Sequence, residues 1–225
     1  MSTETTENTN LQDQAYDLLL EKILFNEYEP GQKLSMRSLE RELGIGRTPI
    51  SGALGKLEQQ GLIEKRPGSG TYVSKIHFAS VVSAQLVRSE VEKKIMRLSF
   101  GLMCPDFIED IREIINHQEA AIENNDIKEL MKYDDAFHEK FYRIANHMQI
   151  WKWVQDINMH LDRYRWLRLN AENLDLKEIS AKHREILEAL ENGDYDQVLA
   201  LTDGHNKMFT SEKDNVLREY IEFFN

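Results

Sequence analysis

Eight of the eleven glycines and three of the four prolines of this 225-residue chain fall before residue 76. Glycine and proline punctuate regular structure, because one has the freest backbone and the other the stiffest. The first third is therefore a short, turn-rich module. Beyond it only Gly101, Pro105, Gly193 and Gly204 interrupt the chain, and no alternating strand pattern appears there. Long helices are the structure that remains.

Regular recurrence of leucine, isoleucine, phenylalanine and tryptophan argues against disorder over most of the length. Residues 1–10 are polar and acidic and are expected to form a disordered tail. A single cysteine, Cys104, has no partner within the chain, which excludes a disulfide scaffold and fits a reducing cytoplasm. No apolar run approaches bilayer length. The expectation is a soluble cytoplasmic protein.

Charge divides with the modules. The net charge is −11, and nearly all of it falls after residue 76. Within 35–75 the balance turns basic, through Arg37, Arg41, Arg47, Lys56, Lys65, Arg66 and Lys75. Such a surface suits a polyanion, although an ordinary solvated face has the same composition.

From Leu11 to Asn26, apolar residues at Leu11, Ala15, Leu18, Leu19 and Ile23 carry the spacing of an amphipathic helix, stopped by Glu29-Pro30-Gly31. A second helix is predicted over Met36 to Leu43, ended by Gly44. The third starts near Thr48-Pro49, where proline is tolerated in a first turn, and runs through Ile50, Ala53, Leu54 and Leu57 to Gly61. Two short helices about a tight turn form a helix-turn-helix. The segment Leu62 to Val73 alternates about Pro67-Gly68-Ser69-Gly70 as a two-stranded wing. Candidate DNA contacts are Arg37, Arg47, Thr48 and Ser51 on the helices, with Lys65, Arg66, Gly68 and Gly70 on the wing. Basic side chains reach phosphate, and glycines let backbone approach a groove.

These residues resemble the winged helix of the GntR family of transcription regulators. The similarity runs through Pro30-Gly31-Gln32-Lys33-Leu34, Leu43-Gly44-Ile45-Gly46-Arg47-Thr48-Pro49-Ile50, Ala53 to Ile63 and Gly70-Thr71-Tyr72-Val73. Gly46 replaces the family's usual serine, and Ser51-Gly52 replaces its Arg-Glu, so one customary DNA contact is missing.

The second module shows six helical patterns, roughly 79–102, 105–124, 127–146, 148–169, 174–192 and 194–222. Within it Asp134 and His138 lie four apart on one helical face, and later helices supply His183 and His205. One carboxylate and three imidazoles suit a borderline divalent ion, with zinc first and nickel or manganese next. Taken alone the constellation is weak, because seven histidines are scattered through the chain and an i, i+4 pair arises often by chance, so hydrogen-bonded or surface histidines are the favoured reading of these residues. The module also resembles the FCD class of GntR effector domains, and Asp134, His138, His183 and His205 fall on that class's metal-binding positions. Asn146-His147 stands where that class has Gly-Asn.

The resemblance implies a mainly α protein in two domains. Residues 11–75 form the winged helix-turn-helix, and residues 76–225 an all-helical bundle that holds metal and effector and dimerises. The effector is expected to be a small organic carboxylate, with Arg88 pairing one end and Tyr133 and Arg165 as further contacts. A two-fold homodimer on a palindromic double-stranded operator follows from the short half-site that one winged helix reads. The expected function is a ligand-responsive regulator, a repressor and not an enzyme. A metalloregulator sensing the ion itself and a metal-dependent hydrolase are the competing readings.

Overall fold

The structure, a computed structural model, describes residues 2–172, 174–211 and 213–225, with the backbone alone for 2–9 and 206–211. The chain divides into two compact units. One comprises 1–78 together with 220–225, and the other comprises 79–219.

In the first unit α1 (Ser2–Leu24) precedes β1 (Lys33–Leu34), α2 (Met36–Leu43), α3 (Arg47–Gln59), β2 (Ile63–Arg66) and β3 (Gly70–Val73). The three strands form one antiparallel sheet in the order β1-β3-β2, with Ile63 opposite Val73 and Lys33 opposite Tyr72. Residues 2–10 thus lie within α1, where a tail was expected. Once a helix is nucleated by the apolar stripe from Leu11, adding polar residues to its end costs little.

The helices close over Ala15, Leu19, Ile23, Leu39, Ile50, Ala53, Leu54, Leu57 and Leu62, all buried. Each large aliphatic side chain among them contributes about 2 kcal/mol by leaving water. Gly44 ends α2 with φ 66°, its N–H donating to Glu40 O at 3.1 Å. A left-handed residue there is what glycine permits cheaply. A Cβ at Gly52 would meet only the amide end of the Gln12 side chain of α1, which is free to swing aside.

The last residues of the chain also belong to this unit. Ile76 and Phe224 form a parallel bridge, and Ile76 N donates to Phe223 O at 2.8 Å. The Phe78 and Phe224 rings meet edge to face at 6.1 Å. The sequence boundary at 75/76 gave no hint of this return.

The second unit is all helical: α4 (Phe78–Phe100), α5 (Pro105–Glu123), α6 (Ile127–Ile144), α7 (Met148–Ile157), α8 (Met159–Asn170), α9 (Lys177–Glu191), α10 (Tyr195–Ser211) and α11 (Lys213–Glu219). Pro105 sits in the first turn of α5, and the Asp126 side chain caps α6 by accepting from Glu129 N at 3.0 Å. Asn146 takes φ 59° after α6, a left-handed conformation that asparagine tolerates better than most residues. The pattern over 148–169 divides at Asn158 into α7 and α8. Phe107, Ile111, Ile115, Phe137, Phe141, Trp151, Ile186 and Val198 form the core of α5, α6, α7, α9 and α10. No helix among the described residues is long and apolar enough to cross a membrane.

Candidate metal centre and nucleic-acid interface

All eight expected DNA contacts are exposed in the first unit. Arg47, Thr48 and Ser51 share the outer face of the first turns of α3, opposite the buried Ile50, Ala53 and Leu54. Arg37 stands on the first turn of α2. On the wing, Lys65 and Arg66 end β2, and Gly68 and Gly70 turn the chain with φ 72° and 133°. Lys65 pairs with Glu58, and Arg66 Nη2 lies 2.9 Å from Glu64 Oε2. The Arg66 guanidinium also lies over the Tyr72 ring, 4.3 Å from its centroid, and Lys33 Nζ is 5.8 Å from the same ring. Lys33 and Tyr72 are the residues of this surface that sequence reasoning passed over. Their signal was the pairing of a basic residue with an aromatic across two short strands.

In the second unit, α6 supplies Asp134 and His138, α9 supplies His183 and α10 supplies His205. One ligand atom from each falls within 4.8 Å of all the others. His183 Nε2 is 3.3 Å from His205 Nε2 and 3.8 Å from Asp134 Oδ1, and His138 Nε2 is 3.9 Å from Asp134 Oδ2. Donors about 2.1 Å from a tetrahedral metal stand roughly 3.4 Å apart, so small side-chain adjustments close the shell. The donor set fits a divalent ion in its protonation as well. Burial holds His183 well below the usual imidazole range and pushes His205 down to about 4, so both rings are neutral near pH 7. Burial works against the Asp134 carboxylate, yet the Arg165 guanidinium keeps it ionised, well below its ordinary value.

Neighbours fix these ligands. Phe137 stacks on the His183 ring at 3.8 Å, and His183 Nδ1 lies 2.9 Å from Gln118 Oε1. Glu92 Oε1 lies 3.3 Å from His138 Nδ1 and 2.7 Å from Arg88 Nε. Arg165 grips Asp134 Oδ2 at 2.6 Å, Asp135 Oδ1 at 2.9 Å and Asp162 Oδ1 at 2.8 Å. Burial raises the Asp162 carboxyl to about 6 against the pull of Arg165.

Beside this cluster lies a cavity of about 70 Å³, lined by Gln85, Arg88, Arg165 and Arg168 with Leu130, Leu169 and Ile179, and bordered by Asp134, His138 and His205. Arg88 and Arg165 are thus brought to one cavity. Tyr133 is not: its ring stacks on His117 of α5 at 4.7 Å. One position before Asp134 is about 100° around the helix, which turns Tyr133 toward α5. Gln85 and Arg168 were missed, since a polar residue on a helix carries no sequence sign that it faces inward.

Comparison with known proteins gives two family matches, "Bacterial regulatory proteins, gntR family" over residues 11–73 and "FCD domain" over residues 85–207. The "Uncharacterized HTH-type transcriptional regulator in unstable DNA locus" of Streptomyces ambofaciens is 33% identical over 191 residues, covering 85% of this chain and 79% of that protein. The HTH-type transcriptional repressor RspR of Escherichia coli is 25% identical over 226 residues, covering 100% and 99%. Among solved structures, E. coli McbR/YncC superposes with a TM-score of 0.77 at 18% identity, covering 93% of this chain and 98% of that one. At such identity the likeness shows the fold alone.

Proposed function

Since the chain belongs to the GntR family of bacterial transcription regulators and carries an FCD domain, we propose that it is a metal-dependent, effector-responsive repressor. The observation that supports this reading is the convergence of four ligand atoms, three of whose residues border an arginine-lined cavity. Asp134, His138, His183 and His205 would hold the ion. A bound divalent cation, zinc by preference, would act as a Lewis acid and offer a coordination position to an anionic oxygen.

The chain's own residues then define the ligand. Arg88, Arg165 and Arg168 line the cavity against the carboxylates of Glu92, Asp134, Asp135 and Asp162 around it. By formal charge the surroundings are slightly negative before metal and positive after it, so an anion is accepted once metal is in place. A compact organic carboxylate suits the volume and the guanidinium forks. Arg88 is best placed to take its distal end, by exchanging part of its bond to Glu92.

Arg37, Arg47, Thr48, Ser51, Lys65, Arg66, Gly68 and Gly70 make the DNA-contacting set. Residues 79–219 act as the effector and dimerisation domain, and a cytoplasmic homodimer presents two winged helices to a palindromic operator. An effector changes operator affinity to the extent that it favours one state of the dimer.

The test is operator binding followed by fluorescence anisotropy, first against zinc alone and then against a panel of small mono- and dicarboxylates at saturating zinc. Affinity that shifts with a carboxylate only when zinc is present supports the reading. A response to zinc alone replaces it with a metalloregulator, and turnover of a panel member that disappears on chelation replaces it with an enzyme.

A further inference from the structure

The three histidines of the cluster turn Nε2 inward. A neutral imidazole has one lone pair to offer, so a ring that ligates through Nε2 carries its proton on Nδ1 and needs an acceptor there. Two have one in the protein: His138 Nδ1 faces Glu92 Oε1 and His183 Nδ1 faces Gln118 Oε1. The third does not. His205 Nδ1 is sealed from solvent without a protein partner, and so are Glu92 Oε2 and the Tyr142 hydroxyl. Glu92, Tyr142 and His205 line the same small cavity, of about 10 Å³. That is close to the room one water occupies, and a water is held where two to four polar groups converge.

The orphaned atoms complement one another. An Nδ1–H donates, a carboxylate oxygen accepts, and a hydroxyl does either. We propose that one internal water bridges His205 Nδ1, Glu92 Oε2 and the Tyr142 hydroxyl, which makes Glu92 the positioning residue for two of the three metal-binding histidines. It holds His138 directly through one carboxylate oxygen and His205 through the other by way of the water. Because Arg88 bonds the same carboxylate at 2.7 Å, the group that would receive the effector shares a partner with the metal shell. This inference rests on the metal reading above.

Cobalt serves as the probe, titrated into the full-length protein against a competing chelator while its visible absorption is followed. Glu92→Gln is expected to weaken cobalt binding by about 10- to 100-fold. Tyr142→Phe removes only the hydroxyl and is expected to weaken it by about fivefold, with a changed ligand-field spectrum in both variants. In the double variant the second substitution is expected to add less than it does alone, since both act on one water. A crystal structure is expected to show water density within hydrogen-bonding distance of all three atoms. Should Glu92→Gln fail to fold, Tyr142→Phe and the density decide the matter. Wild-type affinity and spectrum in the folded variants, or no water among the three atoms, overturns the positioning role alone. A wild-type protein that takes up no cobalt overturns the metal reading and this role with it.

Discussion

Lowering the pH should destabilise the metal-free second unit by an amount that one substitution reads out. Buried His205 has its pKa pushed from 6.5 to about 4. Above pH 6.5 it is neutral folded or unfolded and has no effect on stability. Below that, the unfolded chain takes up a proton that the folded ring refuses until about pH 4, so stability falls as pH falls. At about 1.4 kcal/mol per pH unit, the loss at pH 4.5 reaches about 3 kcal/mol. His183, lowered in the same direction, adds to the slope. Asp162 opposes it: with its folded pKa raised to about 6, it gains its proton earlier when folded and returns stability between pH 6 and the ordinary aspartate range. The difference between wild type and His205→Gln cancels the Asp162 contribution and leaves that of the His205 ring together with its coupling to His183. Trp151, Trp153 and Trp166 all lie in the second unit, so tryptophan fluorescence during urea unfolding, in the presence of a chelator, reports that unit alone. Wild type should lose about 3 kcal/mol relative to the variant between pH 7 and pH 4.5. An unchanged difference would refute the claim that burial keeps His205 neutral.

Three further outcomes are expected. Zinc at one hundred times its Kd should stabilise the second unit by about 2.7 kcal/mol, lost again on chelation, as thermal melts with and without chelator will show. Removing Lys65 and Arg66 together should weaken binding to all DNA sequences alike and flatten the slope of log affinity against log salt by about 2, measured from 50 to 200 mM salt. Gly55→Ala, where a Cβ meets nothing within 4 Å, should stabilise the first unit by about 1 kcal/mol in denaturant titrations, whereas Gly44→Ala at φ 66° should cost about as much.

The helix-turn-helix was legible because its signals are local. Gly44 and Pro49 mark one helix end and the next helix start, and Leu39, Ile50, Ala53 and Leu57 keep the helical period on either side. The four metal-binding candidates were legible in another way, through a resemblance that set the i, i+4 pair Asp134 and His138 beside two distant histidines. What escaped the sequence depends on tertiary placement. The break at Asn158 is hidden by an apolar period that runs through it, and β1 is two residues long. Arg165 reads as an available cation, whereas three aspartates from two helices surround it. Tyr133 sits beside a ligand in sequence and faces another helix in space. Glu92 and Gln118 look like ordinary polar positions until the histidine opposite each is known.

The bridge between Ile76 and Phe224 closes a loop in the chain: it leaves the first unit after Ile76, makes up the whole of the second, and returns to pair at its point of departure. A fusion partner or affinity handle attached after Asn225 would hang at that pairing and tug on it. One placed ahead of residue 2 would leave it alone. Shortening the chain by three residues would open that loop, leaving the second unit joined to the first at one end only.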